Sequence, residues 1–198
     1  MGVTHLCFDI ETLGKRENTV VLTIACVPFT FEDYVPYQSL VRDGFYVKFN
    51  AQEQIKKYHR STCKDTIDWW KTQSKEARKE ALEPHPDDAS MIDGLDAMAQ
   101  YIKKCGYDWK KSYIWSRGTY FDFPKMESMY EQAEVKIPFN TWRIRDVRTY
   151  IDILTGVDDG KYMPKNPLPA EFVAHNALHD AARDVHAMKE IYSSLTQE

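Results

Sequence analysis

VTHLCFDI, residues 3–10, followed at once by Glu11 and Thr12, is the stretch from which the rest of the chain is read. Its Val, Leu, Cys, Phe and Ile surround a single acid, the pattern of a buried, β-rich strand. Asp9 and Glu11 stand two apart, and side chains at i and i+2 share one face of a strand. Two carboxylates beside an apolar run repel one another and lose hydration. A divalent cation would compensate both, because hard ions such as Mg²⁺ take carboxylate oxygens. The alternative is that Glu11 opens the turn in solvent and Asp9 caps a backbone group. His5 and Cys7 fall on the same face but deeper, where packing is the ordinary role.

Outward from this strand, 20–29 (VVLTIACVPF) reads as a second strand and 45–49 (FYVKF) as a short third one, with the polar turn GKREN at 14–18 joining the first two. A helical stretch is expected from Ser61-Thr62 through Trp69, Trp70 and Ala77, with one tryptophan in the core and the other partly exposed. EPHPDD at 83–88 breaks it. A further helix from about Ser90 carries Ile92, Leu95, Met98, Ala99 and Ile102, with Gly106 as its stop. SYIWS, 112–116, reads as a strand, and a helix follows from about Phe121. Residues 142–154 read as a short strand or turn and then a helix. A loop follows over 155–171, where three prolines and two glycines exclude a helix, and a last helix runs from about Asn176 to Leu195. Strands early, then strands alternating with helices, imply a mixed α/β sheet with helices on its faces.

The chain has 198 residues, so one domain over 1–198 with its own core is expected. Thirty acids against 26 Lys and Arg give a net charge of −4, which excludes a coating protein that holds nucleic acid by bulk charge. The abundance of aromatic residues excludes a disordered chain. Cysteines 7, 26, 63 and 105 are scattered and unpaired in sequence, as in a reduced intracellular protein. MGVTHLCFDIE has no basic n-region, and Leu6 stands where a myristoylation site needs Ser or Thr. No apolar run approaches membrane-spanning length. A cytoplasmic protein with no membrane partner is expected.

Two more sites complete the chemistry. Asp122, in YFDFP, sits where a strand runs into a helix; an acid there is ordinarily a cap, but strand C-termini are also where α/β sheets place their sites. The last helix opens HNALHDAARD. His175 and Asp180 are five apart, as are His179 and Asp184. Five helical residues turn through about 500°, leaving the side chains about 140° apart. Cooperation is easy only if the histidine lies on the loop before the helix, which favours His175 with Asp180 and Asn176 as N-cap. His179 and His186 read as a solvated helix face, and Asp184 as a supporting or surface acid. Lys56, Lys57, His59 and Arg60 form one basic cluster. Arg143, Arg145 and Arg148 form another, interleaved with Trp142 and Tyr150, which could stack on bases.

FDIET, the FD of YFDFP, and H-x-A-L-x-D in HNALHDA resemble, in order and spacing, the three motifs of the DnaQ-like, or DEDDh, 3′–5′ exonucleases. The likeness is greatest to the group found in T4-like phages, through STCKDTIDWWKTQSKEAR, SRGTYFDFP, RIRDVRTYID and FVAHNALHDAARD; the exoribonuclease group first described in mycobacteria is similar at greater distance. The resemblance implies an RNase H-like fold, a central mixed five-stranded sheet flanked by helices with the second strand antiparallel. It implies that Asp9, Glu11, Asp122 and Asp180 bind metal, two Mg²⁺ with Mn²⁺ as a substitute, and that His175 is the general base. Leu13, beside Thr12, would wedge against the terminal base, with Phe121 also on the substrate. The HDAARD phase leaves His179 with Asp184 as a second register. The implied reaction is metal-dependent release of nucleoside 5′-monophosphates from single-stranded DNA 3′ ends, by a monomer or homodimer. RNA trimming, or a non-catalytic nucleic-acid-binding module on the same fold, are the alternatives. An ordinary histidine titrates near ~6.5, so a histidine base predicts activity rising from pH 6 to 8.

Overall fold

The computed structural model describes residues 2–196 except 159 and 163, so Met1, two positions of the 155–171 loop and residues 197–198 lie outside it. The opening stretch forms strand β1 (His5–Thr12), which pairs antiparallel with β2 (Val21–Phe29). β3 (Phe45–Lys48) extends the sheet beyond β2, while β4 (Ile114–Ser116) and β5 (Ile144–Asp146) add in parallel on the other side. The order is β3-β2-β1-β4-β5, a mixed sheet with β1 at its centre.

Strand alternation divides β1 between two cores. Leu6, Phe8 and Ile10 face α5 (Met91–Lys104) and α6 (Thr119–Ala133), packing with Met98, Phe123 and Met126. Cys7 faces the opposite side, where α7 (Val147–Thr155) and α8 (Ala177–Thr196) contribute Ile151, Ala181, Val185 and Met188. Asp9 and Glu11 continue the Cys7 side, and the alanines of α8 let that helix lie close over the strand that bears them. The helix signals over 90–104 hold: Ser90 caps Asp93, and Gly106 takes a left-handed φ of +83° just past the end.

The continuous helix expected from Ser61 to Ala77 is interrupted. α3 (Lys64–Trp70) stops, and Ser74 accepts from the Ala77 N–H to start α4 (Lys75–Leu82) afresh. The break lets Trp70 turn fully into a small core with Val20 and Leu22 while Trp69 stays on the surface, the division expected for the pair. Two short helices, α1 (Tyr37–Asp43) and α2 (Ala51–Tyr58), were not foreseen. Among the described residues no helix is long and apolar enough to cross a membrane, and all four cysteines are free.

Candidate active site

Four of the candidate acids reach one cleft from three elements. β1 ends with Asp9 and Glu11; the first turn of α6 brings Asp122; the first turn of α8 brings Asp180. The cleft, of about 980 Å³, is also lined by Thr12, Phe121 and His175. A β-bulge at Glu11–Thr12, where Thr12 pairs with Val21 in place of Leu22, ends the regular ladder beside these acids.

The approach to α8 places the two candidate histidines differently. Asn176 caps the helix, its side chain accepting from Leu178 and His179 N–H at 3.0 and 3.2 Å. His175 lies just outside, in the left-handed region at φ +63°, a conformation that costs a non-glycine residue about 1–2 kcal/mol. Its backbone N–H donates to Asp180 Oδ2 at 2.7 Å, so the strained turn ties the histidine to the acid. One ligating atom each from Glu11, His175 and Asp180 lies within 4.8 Å of the others. The His175 ring packs edge-on against Trp69, with centroids 4.8 Å apart. His179 points elsewhere: its Nδ1 accepts the Val173 N–H at 2.9 Å, and its ring meets Tyr37 and Phe172. His186 contacts the Asn166 carbonyl at 3.2 Å, so neither histidine belongs to a solvated face; both hold the preceding loop. Asp184 is fully buried beneath the cleft, accepting from Arg117 and Arg183.

The electrostatics follow from crowding. Burial, then the charges of Asp180, Glu11, Asp122 and Asp184, push Asp9 well above the usual carboxylate range. Burial and the charges of Asp180 and Asp122 lift Glu11 to about 8, and burial lifts Asp122 to about 7 with Lys125 opposing. Asp180 is raised by burial as well, against the pull of Arg183. A set of hard oxygen donors held together at this cost is what a divalent ion relieves.

The structure distributes the remaining candidates unevenly. Thr12 borders the cleft, though its hydroxyl donates to the Gly14 carbonyl at 2.8 Å. Leu13 is half-buried and packs on the Val20–Trp70 core, with its backbone bonded to Val20 and Cys63. Of the second arginine cluster only Arg148 reaches the cleft; Arg143 and Arg145 stack on Tyr113, and Tyr150 packs on Phe31 and Trp115. Arg60, from the first basic cluster, is buried and donates to the Thr19 and Glu17 carbonyls and to Gln132. His5 packs among Phe29, Phe31 and Tyr113, as its depth in the strand suggested. Sequence reasoning did not single out Lys15, Tyr120 or Arg183, all on the cleft. Arg183 was legible only as a cation one helical turn past Asp180.

Residues 4–192 match the model of the 3′-5′ exoribonuclease Rv2179c-like domain. The chain belongs to this family. It is a 3′–5′ exonuclease of the DnaQ-like type with an RNase H-like fold. The exodeoxyribonuclease of Enterobacteria phage T4 is 36% identical across 91% of this chain and 86% of its own length. Cell-death related nuclease 4 superposes with a TM-score of 0.61 at 13% identity, over 98% of this chain and 64% of that one. E. coli exonuclease I, solved with zinc and single-stranded DNA, gives 0.58 at 13% identity, over 100% of this chain and 43% of that one. The nuclease domain of 3′hExo, a DEDDh family member bound to rAMP, gives 0.53 at 10% identity over 98% and 92%. The chain therefore spans less than two thirds of the first two of these structures.

Proposed function

We propose that the chain is a single catalytic domain that removes nucleoside 5′-monophosphates from the 3′ end of single-stranded DNA, with two divalent ions and a histidine base. The observation that carries this reading is the convergence of Asp9, Glu11, Asp122, Asp180 and His175 on one cleft. The raised carboxylates fit a bound cation, and so does the approach of one ligating atom each from Glu11, His175 and Asp180 to within 4.8 Å of the others. Asp9, Glu11, Asp122 and Asp180 would hold the ions, Mg²⁺ with Mn²⁺ as a substitute. When bound, such ions lower the pKa of water and neutralise charge on a phosphate.

The chain's own residues supply the rest. His175 stands beside Glu11 and Asp180 with its ring steadied by Trp69, so its imidazole accepts the proton of the attacking water. Phe121 is exposed at the rim, with the Lys125 ammonium 3.5 Å from its ring centroid, and offers a face to the terminal base. Thr12 contributes backbone and methyl surface. Leu13 supports this edge from behind, a reduced version of the wedge that the resemblance implied. Lys15 and Arg148 line the same cleft and give a mildly acidic protein local attraction for a strand end.

DNA is preferred on the strength of the T4 exodeoxyribonuclease, 36% identical over 91% of this chain and 86% of its own length. The family's exoribonuclease description supports RNA as the second reading. A purely binding module has no support from an exonuclease family whose acids are all present here. A cytoplasmic location and a monomer or homodimer complete the proposal.

The test is digestion of matched 5′-labelled DNA and RNA oligonucleotides with Mg²⁺ or Mn²⁺, by wild type and Asp9→Asn. Stepwise shortening from the 3′ end with release of 5′-monophosphates, lost in the variant, is expected. Full activity in Asp9→Asn, or in excess chelator, would refute the site.

A further inference from the structure

Arg183 stands where a counter-ion would. It lies on α8 one turn beyond Asp180, lines the cleft, and keeps 28% of its side chain exposed. Its Nη1 reaches Asp180 Oδ1, while Nε and Nη2 both bind Asp184 Oδ1, at 3.0 and 2.9 Å. Asp184 is fully buried and also receives Arg117 Nε at 2.9 Å. The guanidinium thus has two arms on a buried acid and one on a cleft acid. Releasing Asp180 leaves the fork to Asp184 intact, an option that a rigid planar guanidinium provides.

Formal charge gives this arrangement a consequence. The cleft acids Asp9, Glu11, Asp122 and Asp180, together with buried Asp184 and the two arginines paired with these last two acids, Arg117 and Arg183, make five negative and two positive groups, a formal balance of −3. One divalent ion brings the ionised set to −1 and a second carries it to +1. A nucleic-acid phosphodiester, at −1, returns it to zero. Lys125, buried and bonded to the Phe121 carbonyl, also offsets Asp122; counted with the set it moves every balance one unit further positive, which strengthens the penalty on a second ion. Lys15, Asp65 and Arg148 sit exposed at the rim, where solvent screens them.

We propose that Arg183 is a resident counter-cation that couples capture of the second divalent ion to arrival of the substrate phosphate. The inference rests on the two-ion reading given above. Arg183 is a positioning residue: it acts through Asp180 and touches no reacting atom. By occupying Asp180 and adding a positive charge, it weakens the second ion in the absence of nucleic acid, and the phosphate offsets that penalty. The coupling is reciprocal, so the second ion tightens nucleotide binding by the same factor.

The experiment counts Mn²⁺ on the intact protein by electron paramagnetic resonance and calorimetry, with and without the saturating methyl ester of a deoxynucleoside 5′-monophosphate, whose phosphodiester carries the −1 of the nucleic-acid backbone. For wild type, the second ion is expected to bind at least tenfold more tightly with nucleotide present. Arg183→Gln removes one positive charge from the set and frees Asp180, so two ions meet less excess positive charge; both should bind without nucleotide, and the ratio should fall to about threefold or less. Arg183→Lys keeps the charge and should keep the wild-type ratio, which separates charge from loss of structure. Asp184→Asn makes the set more positive and should steepen the coupling, an independent check should Arg183→Gln fail to fold. An Arg183→Gln protein with wild-type coupling, an Asp184→Asn protein with unchanged coupling, or a wild type that fills both sites without nucleotide overturns the proposal and leaves the two-ion reading standing. A wild type that takes one ion even with nucleotide overturns both.

Discussion

Removing divalent ions should make the protein less stable as pH rises from 5 to 8, and the size of the effect follows from the cleft. Glu11 is held at about 8 against an ordinary 4.5, first by burial and then by Asp180 and Asp122. A carboxyl whose folded pKa is raised contributes no penalty below its unfolded value, where both states are protonated. Between the two values the unfolded chain loses its proton first, so stability falls until the folded pKa is passed. The span from 4.5 to about 8, at about 1.4 kcal/mol per pH unit, sets a ceiling near 5 kcal/mol for Glu11 alone. Asp122, lifted to about 7, titrates with the same cluster, so the two do not add in full. A total loss of about 3–5 kcal/mol is expected, a large share of the ~5–15 kcal/mol typical of a folded domain. Urea denaturation in chelator at pH 5 and pH 8 measures it, and Mg²⁺ at pH 8 should restore much of the loss by binding only the folded state. Glu11→Gln should be within about 1 kcal/mol of wild type at pH 5 but about 2–4 kcal/mol more stable at pH 8 in chelator, while losing Mg²⁺ rescue. Equal or greater stability of metal-free wild type at pH 8, or no gain in Glu11→Gln, would refute the account of strained carboxylates.

Trp70 is 1% exposed and donates from Nε1 to the Thr12 carbonyl, so Trp70→Ala should cost about 3–5 kcal/mol in denaturant. Trp69, 41% exposed, should cost under about 1 kcal/mol when truncated, while turnover falls through loss of the His175 contact; wild-type turnover would count against that contact. Arg60→Ala leaves the buried Thr19 carbonyl without its side-chain donor and removes the bonds to the Glu17 carbonyl and Gln132, and thermal melts should register about 2–4 kcal/mol of lost stability with metal uptake unchanged. Tyr120 is 90% exposed at the junction of the main cleft with the groove formed by Lys15, Arg16 and Lys125; Tyr120→Ala should raise KM several-fold for oligonucleotides while leaving the melting temperature unmoved.

The sheet was legible where strand periodicity and burial agree. β1, β2 and β3 fall within two residues of their expected limits because each is an apolar run bounded by polar turns. The antiparallel β2 entered only with the resemblance, since short-range pattern carries no strand direction. α1 and α2 were missed for a physical reason: each is a short, largely polar segment with few buried side chains, stabilised by packing rather than by propensity. The split between α3 and α4 was hidden because no glycine or proline marks it; a serine cap does, and Ser74 alone resembles any surface serine.

The site was legible to the extent that helical geometry discriminates. The 140° separation of residues five apart forbids a mid-helix pair, and the structure accordingly puts His175 on a left-handed loop residue outside α8 and leaves His179 holding Val173. Burial was what the sequence concealed. Asp184 looks in sequence like a surface acid one turn after Asp180, yet it has no exposed area, and a buried acid must be paired. Arg183 follows from that requirement, since it must satisfy Asp184 while reaching Asp180. The chain's excess of acids therefore says little about its partner when taken as a total. Locally the same acids come with two fixed guanidiniums, and it is this internal balance that sets what the cleft can bind.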